Sequence, residues 1–187
     1  YGENTNFPLK EKQKISPKNM YALSKKINEE ISSIFNKYYQ VKMTGLRFFT
    51  VYGDWGRPDM MMVKFIDSYY KKKLFKLFNF GKHVRDFTYV GDVVDILYLL
   101  LKVHKKLPNN DIFNICSNDP INLEKIIQFM NNNGINPKVK KVTLQKADIL
   151  KTHGDNQKIL KYVRFKKFTN WKEALKKTIT WYQQNMI

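Results

Sequence analysis

Ser16-Pro17-Lys18-Asn19-Met20-Tyr21-Ala22-Leu23-Ser24-Lys25-Lys26 is the stretch on which the reading of this 187-residue chain turns. Tyr21 and Lys25 are four apart, so on a helix they share a face. Ser16 suits an N-cap and Pro17 the first helical position. Beyond them Met20, Ile27, Ile31, Phe35 and Tyr38 recur at spacings of seven, four and three, the period of a helix with a buried stripe. At about 100° per residue, Tyr21 and Lys25 project roughly 100° and 140° from Met20, beside that stripe. The expectation is a phenol and an ammonium held at the edge of a core. A phenol with a pKa near ~10 is a poor base, but a fixed ammonium one turn away favours the phenolate. Such a pair suits proton transfer to or from an alcohol. Alone, Tyr-x-x-x-Lys describes an exposed helical tyrosine and lysine equally well.

Working outward, residues 2–15 are polar and aperiodic and read as a loop leading into this helix. Residues 41–51 are rich in β-branched and aromatic types and predict a central strand. It runs into Tyr52-Gly53-Asp54-Trp55-Gly56-Arg57-Pro58-Asp59, a turn-forming stretch. Ligands of open α/β sheets bind just past the carboxyl ends of strands, so a site is expected there. Downstream, the pattern predicts a helix over 60–70, a strand over 74–80, a turn over 81–84 and a helix from Gly91-Asp92 to 103. A strand over 112–116, a helix over 123–130, a strand over 138–144 and helices over 156–162 and 171–184 follow. Alternating strands and helices define an α/β fold without internal repeat or linker.

Thirty-four basic against sixteen acidic residues give a formal charge of +18. That suggests a polyanion partner, but the lysines are dispersed with no stripe of interleaved aromatics, so surface lysine is the reading and no nucleic-acid partner is expected. Arginine says more. Only four of the thirty-four are arginine, and Arg47, Arg57 and Arg85 fall in short distinctive segments. A planar fork binds carboxylate or phosphate where lysine offers a point charge. The single cysteine, Cys116, sits in an apolar strand and reads as packing; with three scattered histidines, neither a disulfide nor a metal site is expected. No apolar run is long enough for a membrane span.

Read in order, Tyr1-Gly2, Pro17-x-x-x-Tyr21-Ala22-x-Ser24-Lys25-Lys26, Gly45-Leu46-Arg47-Phe48-Phe49-Thr50-Val51-Tyr52-Gly53, Gly56-Arg57-Pro58-Asp59-Met60 and Gly81-Lys82-x-x-Arg85-Asp86-Phe87-Thr88-Tyr89 closely resemble the extended short-chain dehydrogenase/reductase family, and within it the UDP-glucuronate 4-epimerases. The resemblance is strongest from 17 to 92 and looser after 114. In that family Tyr-Gly follows the fifth strand of the dinucleotide fold, and the Gly-x-x-Gly-x-x-Gly turn that cradles the cofactor lies upstream. The resemblance therefore implies that residues 1–187 are the C-terminal part of one Rossmann-like domain, with the last strands of its parallel sheet and a substrate-binding portion mainly over 54–90 and 119–187. It implies that this fragment alone is inactive.

What the resemblance implies for the site follows residue by residue. Tyr21 is the acid–base group, Lys25 tunes it and bonds the ribose of NAD, and Phe48 walls the nicotinamide pocket. Phe48 and Phe49 also read as core, and one of them must be, since side chains alternate across a strand. Thr50 and Arg57 are candidates for fixing a substrate carboxylate: a glucuronate oxidised at C4 is a β-keto acid that must be kept from losing CO₂. Arg57 also reads as a turn arginine, and Arg47 as either an ion-pair or a ligand residue. Arg85 matches the pyrophosphate arginine, with pairing to Asp86 or another acid the alternative. Leu77 to Phe80, including Phe78 and Asn79, are expected to line the uracil pocket, and Gln145 and Asp148 to face substrate, although Ala147 stands where the family usually has Gly. The implied activity is NAD-dependent 4-epimerisation of UDP-glucuronate to UDP-galacturonate through a transient 4-keto sugar. UDP-glucose 4-epimerase, UDP-glucuronate decarboxylase and an inactive sugar-nucleotide-binding fragment are the alternatives. A cytoplasmic homodimer joined through the helix after Pro17, serving polysaccharide biosynthesis, completes the expectation.

Overall fold

Strand partners decide where everything else sits. The computed structural model describes residues 1–2, 4–144 and 148–187. β1 (Thr44–Phe48) pairs in parallel with β5 (Asp111–Ile115), placing Leu46 opposite Phe113. β2 (Thr50–Tyr52) pairs in parallel with β4 (Val84–Tyr89), whose other edge takes β6 (Pro120–Asn122) antiparallel. β3 (Phe75–Phe78) pairs in parallel with β7 (Val139–Val142). Helices α1 (Met20–Tyr39), α2 (Met61–Tyr70), α3 (Val90–Val103), α4 (Leu123–Asn132), α5 (Gln157–Leu160) and α6 (Trp171–Asn185) alternate with them. The α/β class is as expected.

Two details of the strands differ from the pattern. Residues 41–51 do not form one strand: the ladder changes partner at Phe49, whose N–H donates to the Ile115 carbonyl at 3.1 Å, and the chain passes from β5 to β4. The expected turn over 81–84 ends in β4, a strand whose mixed Arg-Asp-Phe-Thr sequence carries no clean alternation.

Two apolar clusters fill the interior. Phe65, Ile66, Leu77, Phe87, Ile126, Met130 and Leu175 pack in one. Ile96, Leu100, Phe113, Ile115 and Ile159 pack in the other. α4 shows why these sequences make these elements: Leu123, Ile126, Ile127 and Met130 fall on one face and are buried, and the Asn122 side chain caps the helix by accepting from Glu124 N–H. Each fully buried large apolar side chain contributes on the order of 1.5–3 kcal/mol.

α1 departs from its expectation twice. It begins at Met20, capped by the Asn19 side chain accepting from Ala22 N–H at 2.8 Å, so Ser16 and Pro17 lie outside it. Asn competes as well as Ser for the cap. Its apolar stripe is not buried either: Met20, Ile27, Ile31, Phe35 and Tyr38 are all exposed, and no residue of the helix is buried. What ties α1 down is polar. Arg47 on β1 grips Glu29 with both ends of its fork, at 2.7 and 2.8 Å, beneath the Tyr1 ring. Ser32 and Ser33 bond Asn110 at 3.1 Å. Arg47 is thereby an ion-pair residue. Among the described residues, no helix is long and apolar enough to cross a membrane.

Candidate functional site

A pocket of about 350 Å³ opens beside β2 and β4, lined by Thr50, Phe78, His83, Arg85, Asp148 and the Met60–Met62 turn among others. That volume lies in the usual range for small-molecule sites, about 300–1,000 Å³. Its walls are apolar around Leu77, Phe78 and Phe87, and Asp59, Lys64, Lys76, Arg85 and Asp148 bring charge to it.

Arg85 is held by one arm of its fork. Nη1 donates to the Val84 and Leu150 carbonyls, both at 3.1 Å, and the rest of the fork has no partner among the described residues. Burial lowers its pKa from the usual value, opposed by the Asp148 carboxylate. A partly desolvated guanidinium anchored by backbone carbonyls is set up to receive an anion.

Asp86 does not pair with Arg85. It is fully buried, accepting at Oδ1 from Ser117 N–H (3.1 Å) and Ser117 Oγ (2.8 Å), and at Oδ2 from Gly154 N–H (3.0 Å). Burial pushes its carboxyl up, against those hydrogen bonds. The network pulls residues 150–154 alongside β4, where Thr152 N–H reaches the Val84 carbonyl at 3.0 Å. Only glycine fits at 154: a Cβ there would stand 2.6 Å from Cys116 Sγ and 2.5 Å from the Phe49 ring. This clamp carries Asp148 to the pocket. Cys116 is buried, and burial raises its thiol pKa, which agrees with packing rather than nucleophilic use.

The remaining sequence-derived residues divide. Thr50, Phe78, Arg85 and Asp148 come together at the pocket. Arg57 does not line it: its Nε and Nη2 close on Asp59 at 3.0 and 2.8 Å, in an exposed pair. The turn reading of Arg57 is the one that the structure displays. Asn79 also lies outside, in a left-handed conformation (φ 46°) with its amide donating to the Lys82 carbonyl at 3.4 Å. Gln145 lies outside the described residues. Tyr21 and Lys25 stand together, Lys25 Nζ 5.3 Å from the Tyr21 ring centre, but on open helix surface with Tyr21 66% exposed, and neither lines the pocket. The expected cleft edge is not formed around them. Phe48 is 48% exposed at the end of β1, while its neighbour Phe49 packs against Gly154. Sequence reasoning missed His83, although its place two residues before Arg85 puts it on the same side of the chain.

A wider groove of about 540 Å³ runs between Asn122, Lys125, Trp171 and Lys172. Its charged lining residues, Asp119, Lys125 and Lys172, are all exposed. Among the described residues no group of His, Cys, Asp and Glu could hold a metal ion.

A mainly parallel α/β chain with a pocket past a strand end fits the Rossmann-type sheets that bind nucleotides at that place. The sequence comparisons show the family: that of NAD-dependent epimerases/dehydratases matches residues 1–116, and the chain belongs to it. It is 36% identical over 188 residues to an uncharacterized protein of Methanocaldococcus jannaschii, covering 99% of this chain and 56% of that protein. It is 33% identical to UDP-glucuronate 4-epimerase 4 of Arabidopsis thaliana, covering 97% and 45%. Among solved structures, UDP-glucuronic acid 4-epimerase from Bacillus cereus, in complex with UDP-glucuronic acid and NAD, superposes with a TM-score of 0.88 at 22% identity, over 98% of this chain and 58% of that one. This last likeness speaks to fold. The chain spans about half the length of the curated relatives it matches.

Proposed function

We propose that this chain is the substrate-handling part of an NAD-dependent 4-epimerase acting on UDP-glucuronate. The observation that carries the reading is Arg85, fixed through Nη1 by two carbonyls, with Nε and Nη2 unpartnered among the described residues, in a largely apolar pocket. An anion bound there gains charge-assisted hydrogen bonds at little ordering cost. Residues 54–90 and 119–187 supply this portion, with the diphosphate on Arg85 and the base against Phe78.

Tyr21 and Lys25 fit the cofactor side in chemistry: a phenol for proton exchange with a sugar hydroxyl, and an ammonium donor for a ribose. Phe48, half-exposed at the strand end, offers an aromatic wall. NAD, when bound, supplies a reversible hydride acceptor. Around it Tyr21 takes the hydroxyl proton and later returns it, while Arg85 keeps the nucleotide in place as the sugar reorients. Thr50 and Arg57 are assigned to the substrate carboxylate. Arg57 must leave Asp59 to do so, and because an exposed pair of this kind contributes little to stability, the exchange is cheap. The uncovered stripe of α1 is assigned to a second subunit.

That Arg57 is engaged by Asp59 favours a second reading, an epimerase for UDP-glucose, which has no carboxylate to hold. Incubating the complete polypeptide with each sugar nucleotide and following products by NMR separates the two. UDP-galacturonate from UDP-glucuronate supports the first reading. Turnover of UDP-glucose alone supports the second. UDP-xylose with CO₂ moves the assignment to a decarboxylase, and no turnover of either substrate overturns both.

A further inference from the structure

Six exposed lysines, Lys72, Lys73, Lys76, Lys138, Lys140 and Lys141, meet where β3 runs beside β7. The register sets Lys76 opposite Lys140. The Phe75 N–H bonds the Lys138 carbonyl at 2.8 Å, which brings Leu74 alongside Lys138. Side chains two apart share a face of a strand, so Leu74, Lys76, Lys138 and Lys140 stand on one face, and all four are exposed. Lys72 and Lys73 arrive through the turn after α2, in which Lys73 N–H bonds the Ser68 carbonyl at 2.9 Å. None of the six makes an ion pair among the described residues. The acid at this end of the sheet, Asp67, is taken by Lys71 Nζ and by the Tyr182 hydroxyl, both at 2.6 Å.

Like charges directly opposite each other on paired strands are destabilising, so this face carries a repulsion that the chain itself does not relieve. Lysine on β7 has one internal use: the outer edge of that strand pairs with no other among the described residues, and lysine blunts such an edge. That use does not extend to Lys72, Lys73 and Lys76, which lie on or before β3. Nor does it explain why Leu74, 55% exposed, and Val139, 38% exposed, stand in their midst. An extended anionic surface with an apolar interior answers both features. Nucleic acid fits less well, because among the described residues this face presents neither an arginine fork nor an exposed aromatic for a base to stack on. Lysine is a point charge on a long apolar stem; it can meet headgroup charge while the stem and Leu74 settle toward the acyl boundary.

We propose that the β3–β7 face docks on a bilayer rich in anionic lipid, with Leu74 among the lysines as its apolar contact. The surface is separate from the epimerase reading, since Lys72, Lys73, Lys138, Lys140 and Lys141 do not line the pocket beside β2 and β4. The test is cosedimentation of the complete polypeptide with vesicles of phosphatidylcholine alone and of phosphatidylcholine mixed with phosphatidylglycerol. Binding is expected to the mixed vesicles only, and to weaken as salt is added. Each lysine near such a surface strengthens binding about fivefold, so the triple variant Lys138→Gln/Lys140→Gln/Lys141→Gln should lose about 100-fold. Leu74→Ala should lose about tenfold. Removing the same charge elsewhere, in Lys10→Gln/Lys105→Gln/Lys106→Gln, should leave binding within about threefold of wild type. If the first triple variant has a lowered thermal midpoint, Lys72→Gln/Lys73→Gln repeats the measurement outside β7, with a loss of about 25-fold expected. Equal losses in the two triple variants would assign binding to net charge and overturn the surface. So would a wild type that ignores the mixed vesicles, or one that instead retains duplex RNA through these same lysines. A first triple variant that aggregates yet keeps its vesicle affinity would overturn it too, leaving the β7 lysines as edge protection.

Discussion

α1 and the pocket beside β4 are built on opposite principles. The pocket is closed over by its own chain: Phe65, Leu77, Phe87 and Ile126 are buried beneath it, and Asp86 ties β4 to residues 117 and 154. α1 has a longer apolar stripe yet buries none of it, and is attached by Arg47–Glu29 and a few hydroxyl and amide bonds. The difference teaches that the pocket proposed for the nucleotide is built within these residues, whereas Tyr21 and Lys25, proposed as the acid–base pair, stand on a helix face that these residues leave uncovered. Periodicity says that a helix face will be covered; it does not say by what.

The largest effect should come from the less enclosed region. Tyr21→Phe removes the proposed proton-transfer group, and general acid–base catalysis typically contributes about 10²–10⁴-fold. Turnover of the complete enzyme should fall by that factor while calorimetric UDP affinity stays unchanged. If both fell together, Tyr21 would belong to the binding pocket and the separation of the two regions would be wrong.

Next comes stability, where the regions should separate in the opposite sense. Phe65→Ala empties a fully buried position, at a cost of about 3–5 kcal/mol by urea unfolding. Ile31→Ala, on the 45% exposed stripe, should stay within about 0.5 kcal/mol in this chain. A large loss at Ile31 would show that the stripe is covered in solution, against its exposure here.

Much of this was legible beforehand, for reasons that vary by residue. Arg85 and Thr50 were readable because an arginine in a lysine-rich chain and a threonine at a strand end are local features, and the fold brings both to one pocket. α4 was readable because Leu123, Ile126, Ile127 and Met130 repeat at the helical period and nothing else competes for them. Three things were not. The break at Phe49 arises from a change of strand partner, which lies outside the strand's own residues. The Arg57–Asp59 pair is local, two residues apart, but the turn that lets the fork fold back is set by backbone geometry. His83 was hidden because β4 lacks alternation, and without a recognised strand its kinship with Arg85 cannot be seen.

Arg85→Ala sharpens the pocket side further. A hydrogen bond to a charged group is worth about 1.5–3 kcal/mol, so UDP affinity should weaken about 10- to 100-fold, with uridine little affected. Equal weakening of both would mean that Arg85 supports the pocket wall rather than the diphosphate.

The smallest effect is in pH. Burial, with the Arg85 charge beside it, depresses the His83 pKa in the folded chain, and Asp148 opposes only in part. The unfolded chain keeps the ordinary value near ~6.5 and so binds more protons than the folded one below it. Stability therefore rises with pH up to about 6.5 and falls as pH drops from there toward the folded pKa. His83→Gln removes this titration while keeping an amide near the same place. The thermal midpoint of the variant should fall less than that of the wild type between pH 7 and pH 5.5, at fixed ionic strength. An equal fall in both would show that groups other than His83 govern the response, against the opposing action of Asp86, whose raised pKa favours the folded state as pH drops. α1, with no histidine and no buried residue, should contribute nothing to the difference between the two proteins, and hydrogen exchange in that helix should be the same for both at either pH.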